Sequence, residues 1–210
     1  MEFGVDEAGK GPVLGSMFAA AVRGPREALP DGLDDSKRIG DDRRERLAGR
    51  LRDDDRIAVG IAEIPPERID AGNMNDLTVA AHAEALASVI AEGDAGLCDA
   101  GDVDADRFAA RVADRVDAGA EVAARHGADA SDDLVAAASV VAKSARERHV
   151  AALSAAFGEV GSGYPSDPTT RTFLREHLER TGELPACARR SWSTCEDLLA
   201  AAEQSALGDF

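Results

Sequence analysis

The chain has 210 residues, 44% of them hydrophobic, with 40 acidic against 24 basic residues and a formal net charge of −16. Clear apolar periodicity at that hydrophobic content excludes a disordered chain. The longest strongly apolar run, residues 134–142, is far too short to span a bilayer. Three cysteines (Cys98, Cys187, Cys195) without Cys-x-x-Cys spacing exclude a disulfide framework or zinc knuckle. Only three of the basic residues are lysine (Lys10, Lys37, Lys143), leaving 21 arginines. The acidic surplus has no localised tail and reads as a solvated surface suited to concentrated salt, where the Debye length falls to about 3 Å and self-repulsion is screened. With no signal-peptide pattern at the start, the chain reads as a soluble cytoplasmic protein with no membrane segment.

Residues 1–6 and 13–22 read as two strands joined by a glycine loop, the second rich in small side chains and bounded by Gly24-Pro25. Residues 41–52 form a charged helix with Leu47 and Leu51 one turn apart. Residues 56–64 alternate as a strand ended by Pro65-Pro66, and Asn75 caps a helix reaching residue 92. A short buried strand at 95–98, a helix at 104–116 and a strand at 121–125 follow. The longest helix, 132–157, turns Leu134, Ala138 and Val141 inward. A loop with three glycines and two prolines (158–168) leads to helices at 169–181 and 191–204. This order predicts an α/β fold with a mixed sheet. The reading is one domain, residues 1–203, with a tail at 204–210.

The chemistry concentrates first in Asp6-Glu7-Ala8-Gly9-Lys10-Gly11-Pro12. Carboxylates are ligands for hard divalent cations. A lysine between glycines suits a phosphate, because the backbone can approach closely where no Cβ intervenes. Metal and phosphate together indicate phosphoryl-transfer chemistry. For an isolated Asp-Glu pair a strand ending in a polar turn would be the better reading, but other segments point the same way. Asp99 ends an apolar strand, where ligands of open α/β sheets collect. Asp129 precedes the long helix. Asp102, Asp104, Asp106, Asp132 and Asp133 suit turns and helix starts, and spacing alone leaves the choice among the acids even. In an arginine-rich chain, Lys37 beside Ser36 and Lys143 one turn from Ser139 are candidate substrate contacts. The sole tyrosine, Tyr164, lies in a polar glycine-rich loop, where a ring with a hydroxyl can stack and hydrogen-bond. His82 reads as a packed helix histidine and Cys98 as a buried thiol.

Six segments recur in order: GVDEAGKGPVLG (4–15), DSK (35–37), LCDAGDVD (97–104), AAASVVAK (136–143), GSGYPSDP (161–168) and PACARRSW (185–192). Together they resemble type 2 ribonuclease H (ribonuclease HII) of the archaeal branch, over nearly the whole chain. The resemblance implies an RNase H-like fold, a central mixed sheet flanked by helices with a helical C-terminal part. It implies Mg²⁺- or Mn²⁺-dependent hydrolysis of RNA in RNA–DNA hybrids. It also implies cleavage 5′ to single ribonucleotides in duplex DNA, leaving 3′-hydroxyl and 5′-phosphate ends. Position by position, Asp6, Glu7, Asp99 and Asp129 match the four metal-binding acids. Gly9, Lys10 and Gly11 match the loop that contacts the ribose 2′-hydroxyl and adjacent phosphates, and Tyr164 matches the tyrosine at the RNA–DNA junction. Gly127 departs from the family, where lysine is common.

In the tail, Gln204, Leu207 and Phe210 have the spacing of a sliding-clamp-binding peptide, with the two apolar residues as anchors. The rival readings are a non-catalytic hybrid-binding or clamp-tethered repair scaffold, and another nuclease of the same fold such as a junction resolvase. An intact acid set argues against the first, and the 2′-hydroxyl-reading loop against the second.

Overall fold

In a computed structural model the described residues are 1–33, 40–116 and 119–208, the last four as backbone only. Strands β1 (Glu2–Ala8), β2 (Met17–Arg23), β3 (Ala58–Ile64), β4 (Ala95–Asp99) and β5 (Glu121–Arg125) form one sheet in the order β3-β2-β1-β4-β5. β2 runs antiparallel to β1 and β3, while β4 runs parallel to its neighbours β1 and β5. The sheet is therefore mixed, as expected. The second predicted strand is shorter than its apolar run. It begins at Met17, because Gly15 takes φ +77° and breaks the extended backbone, and Leu14 bridges Ala188 instead.

One face of the sheet carries α1 (Asp41–Asp53) and the first part of α5 (Asp133–Phe157). Leu47, Ala48 and Leu51 of α1 pack with Ala20 and Val22 of β2 and with Leu134, Ala137, Ala138 and Val141 of α5. Each large aliphatic side chain buried there is worth roughly 1.5–3 kcal/mol. Gly4 is needed for this packing: a Cβ on it would stand 2.2 Å from the Leu134 carbonyl carbon, so β1 and α5 meet backbone to backbone. α3 (Met74–Ala87) packs on β1, β2 and β3, and α4 (Ala105–Ala113) packs on β5. The cap of α3 is Asn73 rather than the expected Asn75: the Asn73 side chain accepts the Asn75 N–H at 2.9 Å. The helix also stops short of residue 92, where the Val89 and Ile90 N–H groups both turn back onto the Leu86 carbonyl.

The chain divides into two compact units. The sheet, α1, α3, α4 and residues 133–147 of α5 form the first. The second comprises residues 11–16, 65–72 and 148–210. It holds α2 (Pro66–Asp70), which the sequence reading missed and which starts on proline at its first position. It also holds the end of α5, α6 (Pro168–Thr181) and α7 (Ser193–Gly208). Its core joins Val13, Leu14, Val160, Leu174, Leu184, Ala188 and Cys195. All three cysteines are free and buried. Among the described residues no helix is long and apolar enough to cross a membrane.

Candidate active site

β1 and β4 are in parallel register with Val5 opposite Cys98, so the next residues along, Asp6 and Asp99, leave adjacent strands side by side. Asp99 accepts the Ala128 N–H at 2.9 Å, which ties the end of β4 to the 3-10 turn carrying Asp129. Gly127 starts that turn at φ +65°, a left-handed conformation that glycine adopts without strain. Asp6 and Asp129 are buried, at 5% and 6% exposure. Burial, then the negative charge of Glu7 and Asp99, pushes the Asp6 carboxyl up to about 7. Asp99 is raised by burial and by the charges of Glu7 and Asp129. Asp99 thus feels acids from two other chain segments, Glu7 of β1 and Asp129 of the turn. The Ser139 hydroxyl of α5 is buried without a hydrogen bond of ordinary length, yet lies near enough to Asp6 to favour its ionised form.

Glu7 is differently placed. Neighbours along a strand point to opposite faces, and Glu7 turns away from Asp6 to meet His82 of α3, whose Nε2 stands 2.8 Å from Glu7 Oε2. His82 is fully buried, edge-on to Phe108 at 5.0 Å, with the Cys98 thiol close by. Burial opposes both charges, but their hydrogen bond prevails: Glu7 is lowered and His82 raised, giving an imidazolium–carboxylate pair. His82 is packed, as expected of it, but its carboxylate partner lies 75 residues away, beyond the reach of local pattern. Lys10 adds a cation beside Glu7, with its ammonium donating to the Gly101 carbonyl at 2.5 Å. Among the described residues no three His, Cys, Asp or Glu side chains are arranged as a ready-made metal centre.

In the second unit, Gly11 and Tyr164 come together: a Cβ on Gly11 would lie 3.6 Å from Tyr164 Cε1. The ring is 40% exposed, but its loop is fixed. Gly163 N–H donates to Thr170 Oγ1, the Gly163 carbonyl accepts from Val13 and Leu14, and Asp167 receives the Ser162 and Thr169 N–H groups. The Ser162 hydroxyl, then these N–H groups, hold the Asp167 carboxyl down at about 2.

Lys143 lies one turn beyond Ser139 on α5 and is partly exposed. Ser36 and Lys37 fall outside the described residues, as does Phe210. Gln204 is exposed on α7, which continues to Gly208 rather than ending at Gln204. Of the other acids, Asp132 bonds the Leu134 and Val135 N–H groups at the start of α5, and Asp104 caps α4, as their helix-start reading predicts. Asp102 is buried against Arg107.

The sequence profile of the ribonuclease HII family matches residues 3–195. A ribonuclease HII from Natronomonas pharaonis is 67% identical over 207 residues, covering 99% of this chain and 98% of that one. The crystal structure of the ribonuclease H2 from Pyrococcus horikoshii OT3 superposes with a TM-score of 0.87 at 36% identity, covering 95% of this chain and 97% of that one. The ribonuclease HII of Archaeoglobus fulgidus, solved in complex with PCNA, gives a TM-score of 0.83 at 36% identity over 94% of this chain and 96% of that one. Both the sequence and the sheet with its buried acids lead to one conclusion: the chain belongs to the ribonuclease HII family.

Proposed function

We propose that the chain is a divalent-metal-dependent endoribonuclease that cuts the RNA strand of RNA–DNA hybrids. On this reading it also cuts 5′ to single ribonucleotides in duplex DNA. The observation that supports this reading is the charge interaction of Asp99 with both Glu7 and Asp129, and of Asp6 with Glu7 and Asp99, across three chain segments. An all-oxygen set of four carboxyls fits a hard divalent cation such as Mg²⁺ or Mn²⁺. The raised Asp6 and Asp99 fit it too, since burial and neighbouring carboxylates outweigh the positive charge the chain itself supplies to them. When bound, the cations lower the pKa of the attacking water and stabilise the departing oxygen.

The chain's own part is positioning. The Ala128 N–H orients Asp99, and His82 keeps Glu7 ionised. Lys10, held by the Gly101 carbonyl, offers a fixed positive charge to a phosphate. Gly9, Lys10 and Gly11 with Tyr164 read the ribose 2′-hydroxyl that DNA lacks. Ser36, Lys37, Ser139 and Lys143 are assigned to further substrate contacts. The Archaeoglobus fulgidus relative solved with PCNA supports a sliding clamp as a partner, and Gln204, Leu207 and Phe210 are assigned to that contact by their spacing. The deciding experiment is cleavage of duplex DNA with one embedded ribonucleotide, over a range of salt, with Mg²⁺, with Mn²⁺ and with chelator. A cut 5′ to the ribonucleotide that needs the metal is expected. Absence of any such cut refutes the proposal.

A further inference from the structure

Gly11 presents a mechanical problem. It has no side chain, and the Pro12 that follows has no N–H, so the Gly11–Pro12 peptide can be fixed by hydrogen bonding only through the Gly11 carbonyl. The structure supplies the missing donor from 181 residues away: the Trp192 indole Nε1–H reaches the Gly11 carbonyl at 3.3 Å. The rest of the loop is gripped by the same segment. The Arg189 N–H donates to the Val13 carbonyl at 2.8 Å and its Nε to the Gly15 carbonyl at 2.9 Å, while the Gly15 N–H donates to the Cys187 carbonyl at 2.8 Å. Carbonyls 11, 13 and 15 are thus all held by residues 189–192. Arg189 is fully buried, and its guanidinium lies 5.0 Å from the Trp192 ring, fixing the indole plane.

The turn before Trp192 is anchored in its own right. Asp70, at the end of α2, accepts the Arg190 N–H at 2.9 Å, the Ser191 N–H at 2.9 Å and the Ser191 hydroxyl at 2.7 Å. Trp192 therefore stands between a carboxylate-pinned turn and the Gly11 carbonyl it bonds.

We infer that Trp192 and Asp70 are positioning residues for ribonucleotide recognition: Asp70 fixes the 190–191 turn, and Trp192 fixes the carbonyl of Gly11. This rests on the reading that the Gly9-Lys10-Gly11 loop contacts the 2′-hydroxyl. At 3.3 Å the indole bond is long and weak as a source of stability, so its effect is directional and shows in discrimination more than in folding.

The test is binding by fluorescence anisotropy, in chelator, of two duplexes that differ by one 2′-hydroxyl. Trp192→Phe keeps a ring over Arg189 and removes only the donor. Asp70→Asn keeps the shape and removes one acceptor, and reaches the same carbonyl by a different route. In each variant the affinity for the ribonucleotide duplex is expected to fall about fivefold, the scale of one lost hydrogen bond, while the all-deoxy duplex is bound as before. Equal weakening on both duplexes, or unchanged preference, overturns the inference for that residue. A wild-type protein with no preference refutes the loop reading itself, and the positioning role with it.

Discussion

Replacing Asp6 with asparagine is expected to abolish turnover and, at the same time, to stabilise the metal-free protein at neutral pH. Asp6 is 5% exposed, and burial together with the charges of Glu7 and Asp99 pushes its carboxyl up to about 7. The unfolded value is about 3.9. The folded state therefore holds a proton that the unfolded state has lost between pH ~4 and ~7, and stability falls as pH rises through that window. About three units correspond to a ceiling of about 4 kcal/mol. Sharing of charge with Glu7 and Asp99 places the expected gain below that ceiling. Asparagine retains an oxygen for the Glu7 N–H that Asp6 accepts at 2.8 Å, so local geometry is kept. Urea unfolding of both proteins in chelator, at pH 5 and pH 8, measures the difference. The Asp6→Asn variant should be the more stable at pH 8, with the gap closing towards pH 4. A variant no more stable than wild type at pH 8 would refute the electrostatic account. Turnover above about a tenth of wild type, only ~1.4 kcal/mol, would refute the ligand role.

Four further outcomes are expected. Asp94 is buried and takes the N-terminal ammonium at 2.6 Å, Arg23 Nε at 2.5 Å and the Ala91 N–H at 2.8 Å. These partners, Arg23 first, hold its carboxyl far below the ordinary range, so its contribution is present above about pH 4 and lost on acidification. Asp94→Asn should cost about 2–3 kcal/mol at pH 7 and nothing once both states are protonated; a constant deficit down the acid limb of a denaturation series would contradict this. Gly4→Val drives side-chain atoms into the Leu134 backbone and should lower stability by more than about 3 kcal/mol, so a melting point close to wild type would show that α5 can shift. Tyr164→Phe should lose less activity than Tyr164→Ala, because the exposed ring supplies stacking and the hydroxyl one further bond; equal losses would assign the role to the hydroxyl. Calorimetry of a peptide of the last dozen residues against the organism's own clamp should give heat that a Leu207→Ala, Phe210→Ala peptide does not, and equal heats would remove the tail from the interface.

Local pattern was enough for much of this protein. The strand expected at 121–125 is β5 at its observed bounds, and the helix-start reading of Asp104 and Asp132 matches the N–H groups they accept. Strand-end position marked Asp6 and Asp99, and parallel register then placed them side by side. Sequence did not disclose that Glu7, next to Asp6, turns to the other face of the sheet and pairs with His82. It did not disclose that Val13 and Leu14 leave the strand they resemble for a core with Leu174 and Leu184. Nor did it separate Arg189, fully buried against the Gly15 carbonyl, from the exposed Arg190 beside it. Periodicity and capping are set by residues within a few positions of one another, so the chain records them locally. The partner of a buried polar group is chosen by whichever donor or acceptor the tertiary fold brings within about 3 Å, and that choice is written only in contacts between distant segments.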